Sequence, residues 1–215
     1  MSRTRIKICG LTREADVDAA VAAGADAVGF VFYDKSPRFV EPARAAELAR
    51  RLPPFVTPVG LFVNASANTI GRALQALPNM LLQFHGDERP AACDWFGRPY
   101  LRAARMAPGF DLLDFALQFS QAQAILLDAH VEGYGGGGKV FDWSLIPRNV
   151  PRPVVLSGGL HAANVAAAIA RVRPSAVDVS SGVEEGPDSK GLKSPRLIED
   201  FCAAVRAADA AQDTP

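Results

Sequence analysis

Cys9 and Asp128 each stand at the end of a short apolar run, in Arg5-Ile6-Lys7-Ile8-Cys9 and in Ile125-Leu126-Leu127-Asp128-Ala129. Side chains of a strand alternate between its faces, so Lys7 and Cys9 share one side while Ile6 and Ile8 take the other. A thiol in that position becomes a general base if nearby positive charge lowers its pKa from roughly 8.5; otherwise it is a small buried hydrophobe. Asp128 is a candidate general acid if burial keeps it protonated, or else a cap on the following loop. His85 shares a face with Gln83 and would bind substrate, shuttle a proton or serve as a structural histidine. Arg38, in Lys35-Ser36-Pro37-Arg38, carries the planar fork that suits a carboxylate, unless it is a solvated loop charge. Asp178 and Ser180 alternate with Val177 and Val179, so both point inward with Lys7 and Cys9. Asp178 then pairs with Lys7 or helps to position Cys9.

Glycines gather in three further places: Gly135 to Gly138, Ser157-Gly158-Gly159 and Ser181-Gly182. Without a Cβ, the backbone N–H groups of such turns can approach an anion closely, and the second and third clusters suit a phosphate; ordinary turn chemistry is the alternative. The spacing from Gly133 to Gly138-Lys139 mimics a nucleotide phosphate loop. Val140 replaces its magnesium-binding Ser or Thr, and Pro147 ends the short helix expected at Asp142 to Ile146.

These residues need a scaffold that brings strand ends together. Eight apolar runs recur: Arg5 to Gly10, Ala27 to Phe32, Pro58 to Val63, Leu81 to Gly86, Tyr100 to Arg105, Ala124 to Ala129, Pro153 to Ser157 and Ala176 to Ser180. Between them lie helical stretches, among them Glu14 to Ala23, Ala43 to Arg51, Ala65 to Ala76, Phe110 to Phe119 and Ala162 to Val172, with a last helix over Pro195 to Ala207. Thr12, Asn64, Asp87 and His161 or their neighbours open segments, and Gly24, Pro78, Gly97 and Pro174 close them. Alternating strands and helices permit an open doubly wound sheet or a closed (βα)8 TIM barrel. Polar residues at the ends of most strands favour the barrel, because barrel sites are assembled from all the βα loops. The spacing predicts one α/β domain over residues 1–208 and a frayed tail over 209–215.

Composition narrows the partner. The chain has 215 residues, and its 23 basic and 23 acidic side chains cancel, so no nucleic acid or acidic membrane is expected to be held by bulk charge. With no long apolar run and no apolar segment after the basic amino end, the expectation is a soluble cytoplasmic protein. Cys9, Cys93 and Cys202 are scattered without a CxxC pair, which speaks against a disulfide framework and a metal site. Cys93 and Cys202 read as packing residues.

Seven segments now fall into register. Lys7 to Thr12, Gly29 to Phe32 with Ser36-Pro37-Arg38, Gln83 to Gly86, Leu127-Asp128, Gly135 to Lys139 with Phe141-Asp142-Trp143, Leu156 to Leu160 and Val177 to Glu184 together resemble the phosphoribosylanthranilate isomerase family over almost the whole chain. The resemblance implies an Amadori rearrangement of N-(5-phosphoribosyl)anthranilate in tryptophan biosynthesis, without metal or cofactor, by a monomer or homodimer. It implies that Asp128 protonates the furanose oxygen and that Cys9 removes the C2 proton. Arg38 would hold the anthranilate carboxylate, His85 would lie beside the substrate, and Gly158, Gly159, Ser180, Ser181 and Gly182 would receive the phosphate. Gly137 stands where the family commonly has Ser or Thr, which leaves a loop hydroxyl contact open. Two rivals remain: the barrel sugar isomerase of histidine biosynthesis, which has Asp where Cys9 stands, and a non-catalytic barrel that binds phosphate ligands.

Overall fold

In the computed structural model, residues 3–129, 140–186 and 188–212 are described. The expected glycine-rich loop Gly135 to Gly138 lies outside them. Eight parallel strands close on themselves in chain order: β1 (Arg5–Cys9), β2 (Ala27–Val31), β3 (Thr57–Phe62), β4 (Leu81–Phe84), β5 (Tyr100–Met106), β6 (Ala124–Ala129), β7 (Val154–Leu156) and β8 (Ala176–Val179). The expected barrel is the observed fold. Closure pairs β1 with β8 and sets Lys7 opposite Asp178.

The alternation seen in the sequence divides the core in two. One face of the strands packs Val59, Leu101, Ala103, Ala124, Leu126 and Val155 inside the barrel. The other face, with Ile6, Ile8, Val28, Ile125 and Val177, packs against the helices. Those helices are α1 (Glu14–Ala22), α2 (Pro42–Ala49), α3 (Ala67–Ala76), α4 (Pro90–Asp94), α5 (Leu112–Gln118), α6 (Ala162–Val172) and α7 (Pro195–Gln212). In α7 the buried residues Ile198, Phe201, Cys202 and Val205 recur at helical spacing, and each such side chain stabilises by about 1.5–3 kcal/mol when fully buried. Ser66 caps α3 by accepting from the Thr69 N–H at 3.1 Å, and Asp111 caps α5 by accepting from that of Asp114 at 2.9 Å. After α6, Arg173 takes a left-handed φ of 51° and Pro174 forbids continuation. The segment after β6 holds a short 3-10 turn at Trp143–Leu145, where a short helix was expected.

The carboxyl end corrects an expectation. The frayed tail expected over 209–215 does not begin at Asp209, since α7 continues to Gln212, and residues 213–215 lie outside the described residues. Asp209 accepts from the Thr4 backbone N–H at 2.8 Å and from its hydroxyl at 2.7 Å, which ties the helix to the start of β1. Cys93 and Cys202 are free thiols buried in α4 and α7.

Candidate active site

The strand ends open into one cavity of about 310 Å³ lined by Cys9, His85, Asp128, Arg38, Gly158, Gly159, Ser180 and Ser181, among others. Each catalytic candidate arrives there by strand parity. Cys9 ends β1 beside Gly29 of β2, where an added Cβ would sit 2.7 Å from the Cys9 sulfur and 3.2 Å from Lys7 Nζ. The missing side chain on β2 thus makes room for both.

Lys7 lies beneath Cys9 and donates to Asp178 Oδ1 at 2.8 Å, with both side chains buried. This is the pairing that strand closure allowed. Burial opposes the Lys7 charge, but the paired Asp178 carboxylate holds the ammonium above the ordinary lysine range. Around the thiol the balance differs. Burial pushes the Cys9 pKa up, Lys7 draws it down by charge, Asp178 raises it again, and the net direction is upward. The condition set on a basic thiol, a pKa lowered by nearby positive charge, is not met by Lys7: a neutral thiol is favoured, because desolvation exceeds the attraction of a lysine already paired with Asp178.

Three strands round the ring from β1, Asp128 ends β6. Its Oδ1 accepts from the Ala129 N–H at 2.9 Å and its Oδ2 lies 3.1 Å from His85 Nε2. Behind His85, Gln83 Nε2 lies 3.2 Å from Nδ1 and Gln83 Oε1 is buried without a partner; exchanging the two carboxamide atoms would let Oε1 accept from a ring N–H. Gln83 consequently selects the tautomer of the ring. With its NH2 toward Nδ1 the ring proton sits on Nε2 and is donated to an Asp128 carboxylate. With its carbonyl there the proton sits on Nδ1, and Nε2 accepts from a protonated Asp128. The second arrangement is the one that a general acid requires.

The glycine turns are held on their own terms. Gly158 and Gly159 have φ of 81° and 63°, and a Cβ on Gly158 would lie 2.7 Å from the Ala129 backbone nitrogen. Asn164, in the first turn of α6, donates to the Gly159 carbonyl at 2.9 Å and accepts from the His161 N–H at 2.9 Å, locking the turn to the helix. Ser181 opens a 3-10 turn, Ser181–Val183, and lines the cavity. Gly182 is not part of that lining: a Cβ there would meet the Leu160 carbonyl oxygen at 1.9 Å, so this glycine lets the loops after β7 and β8 pack together.

Two residues of the site had no role assigned from the sequence. Glu184 and Lys193 are buried beside Arg38 and engage it and Ser180. Glu184 belonged to a recognised motif but lies past the last strand, where alternation no longer tells which way a side chain points. Lys193 sat in the loop before α7, between Leu192 and Ser194, and gave no signal. Among the described residues, no group of three His, Cys, Asp or Glu is placed to hold a metal ion, and no helix is long and apolar enough to cross a membrane.

A barrel mouth that sets a thiol and a carboxyl group around one small cavity, with a guanidinium and glycine turns at its rim, defines a (βα)8 enzyme of acid–base chemistry. The comparisons make this specific. The sequence model described as N-(5'-phosphoribosyl)anthranilate (PRA) isomerase matches residues 6–204, and the chain belongs to that family. It is 71% identical over 209 residues to the N-(5'-phosphoribosyl)anthranilate isomerase of Leptothrix cholodnii, covering 97% of this chain and 94% of that one. A phosphoribosyl anthranilate isomerase crystallised with reduced 1-(o-carboxyphenylamino)-1-deoxyribulose 5-phosphate superposes with a TM-score of 0.83 at 39% identity, covering 95% and 99% of the two chains. Monomers generated from the dimeric Thermotoga maritima protein superpose at 0.82 with 38% identity and the same coverage.

Proposed function

We infer that this chain converts N-(5-phosphoribosyl)anthranilate to 1-(2-carboxyphenylamino)-1-deoxyribulose 5-phosphate by an Amadori rearrangement, a step of tryptophan biosynthesis. The observation that carries the assignment of roles is that Cys9 and Asp128, from strands well separated in the ring, line the same cavity as Arg38 and the Gly158-Gly159 turn.

Protonated Asp128, hydrogen-bonded to His85, delivers its proton to the furanose ring oxygen as the anthranilate nitrogen forms the Schiff base. Cys9 removes the C2 proton to give the enolamine, which tautomerises to the ketone. The thiol first passes its own proton to solvent water, and the Lys7 ammonium beside it stabilises the resulting thiolate. Asp178 keeps Lys7 in place. Arg38 takes the anthranilate carboxylate, and Gly158, Gly159, Ser180 and Ser181 receive the phosphate, with Gly182 holding their loop. Phosphate binding is remote from the bonds that change, so its energy serves to orient the sugar between acid and base. This reading places the protein in the cytoplasm as a monomer or homodimer.

The direct test is the decrease of fluorescence as purified protein consumes phosphoribosylanthranilate. Turnover is expected without added metal or cofactor. A flat trace, or comparable turnover of the corresponding histidine precursor, would overturn the assignment.

A further inference from the structure

Arg38 is held along its stem and along one edge of its guanidinium. Its side chain crosses over Gly10, whose φ is +77° and where an added Cβ would lie 2.5 Å from Arg38 Cδ. Its backbone N–H donates to Ser36 Oγ at 3.1 Å. Its Nε donates to Glu184 Oε1 at 2.7 Å and its Nη2 to Glu184 Oε2 at 2.9 Å, a bidentate pair. A guanidinium has five N–H donors, and this pair uses two of them. Of the remaining three, one on Nη1 and one on Nη2 form a second edge of the same fork geometry.

Glu184 is itself fixed. Its Oε1 also accepts from the Gly191 N–H at 2.9 Å and from Lys193 Nζ at 3.0 Å. The fully buried Lys193 donates as well to the Ser180 carbonyl at 2.9 Å, and the Ser180 hydroxyl donates to the Cys9 carbonyl at 3.0 Å. Gly191, at φ +91°, passes close enough that a Cβ would stand 3.0 Å from the Pro37 carbonyl oxygen, while its own carbonyl accepts from Thr12 Oγ1 at 3.0 Å. Two cations, Arg38 and Lys193, thus face one carboxylate. With all three ionised, the cluster carries one uncompensated positive charge at the cavity wall, which an incoming carboxylate would neutralise.

We propose that Glu184, anchored by Lys193, is a positioning residue: it occupies the inner edge of Arg38 so that the outer edge meets the aryl carboxylate of the substrate. The proposal rests on the reading that Arg38 receives that carboxylate. Glu184 does not touch the substrate, yet the value of the carboxylate contact depends on it, because an unheld guanidinium would have to be ordered at each binding event.

Two probes separate the possibilities: reduced 1-(o-carboxyphenylamino)-1-deoxyribulose 5-phosphate and the same compound made from aniline, which lacks the carboxylate. In the unaltered protein the first should bind at least about tenfold more tightly, the scale of one charge-assisted contact. Arg38→Ala and Glu184→Gln should each collapse that ratio to within about twofold, while the aniline compound keeps its affinity. Glu184→Asp keeps the charge but withdraws it by one methylene and should give an intermediate ratio; it also serves if Glu184→Gln does not fold. If Arg38→Ala leaves the ratio intact, the carboxylate assignment fails. If Arg38→Ala collapses it but neither Glu184 variant does, the positioning role fails. Equal weakening of both probes by the Glu184 variants would mark a structural role only and likewise overturn the proposal.

Discussion

At the scale of single residues, the proposed chemistry is divided between a thiol made harder to ionise by burial and a carboxyl group in contact with a histidine. Cys9→Ser and Asp128→Asn should each lower kcat by at least about two orders of magnitude, the usual contribution of a positioned base or acid, and steady-state assay of each variant checks it. Near-normal turnover in either would remove that residue from its role. Gln83 offers a finer test. Its carboxamide lies 3.2 Å from His85 Nδ1 in the barrel interior, so Gln83→Leu removes the partner of that ring nitrogen. Stability in urea should change by no more than about 1 kcal/mol. The kcat should nevertheless fall by about tenfold, a small share of the acid's contribution, because the tautomer is no longer selected. An unchanged kcat would show that the ring is set by Asp128 alone. Cys9, Asp128, His85 and Asp178 were legible as inward residues because strand parity is a local property. The upward shift of the Cys9 thiol was not, since it sums burial by distant segments with the charges of Lys7 and Asp178.

At the scale of elements, the loops after β7 and β8 behave as one unit. Gly182→Ala places a methyl group against the Leu160 carbonyl, where backbone and not a flexible side chain must yield. A loss of about 2 kcal/mol or more is expected on denaturation, with weaker phosphate binding, and wild-type stability would refute the packing role. The end of α7 makes a second case. Asp209→Ala deletes both bonds to Thr4 and should cost about 1–2 kcal/mol in stability, measured by thermal unfolding. The sequence suggested fraying there because Asp209 to Gln212 has no apolar face. The helix persists through a polar tie to a residue 205 positions away, which no periodicity encodes.

At the scale of the whole molecule, the three buried thiols act together on pH dependence. Burial raises Cys93 to about 12 and Cys202 to about 11, and Cys9 is also raised. A group whose folded pKa exceeds its unfolded value favours the fold most below the unfolded value, near 8.5 for a thiol. That contribution declines as pH climbs from there toward the folded values, because the unfolded chain loses its protons first. The thermal midpoint should therefore be insensitive to these groups at neutral pH and fall steeply above about pH 9, with the slope reduced in Cys93→Ala relative to its own neutral value. An equally steep fall in that variant would assign alkaline unfolding to other groups.

Eight βα units, the inward face of each strand and the motifs of the family could all be read along the chain, because alternation of two and periodicity of 3.6 are set by neighbours in sequence. The pairing of Lys7 with Asp178 followed from closing such a barrel, but other meetings lay beyond that reading. Asp128 meets His85, and Arg38 meets Glu184, 146 residues further on. Those meetings depend on how the loops pack over the barrel mouth, and burial together with long-range charge then decides which groups hold their protons.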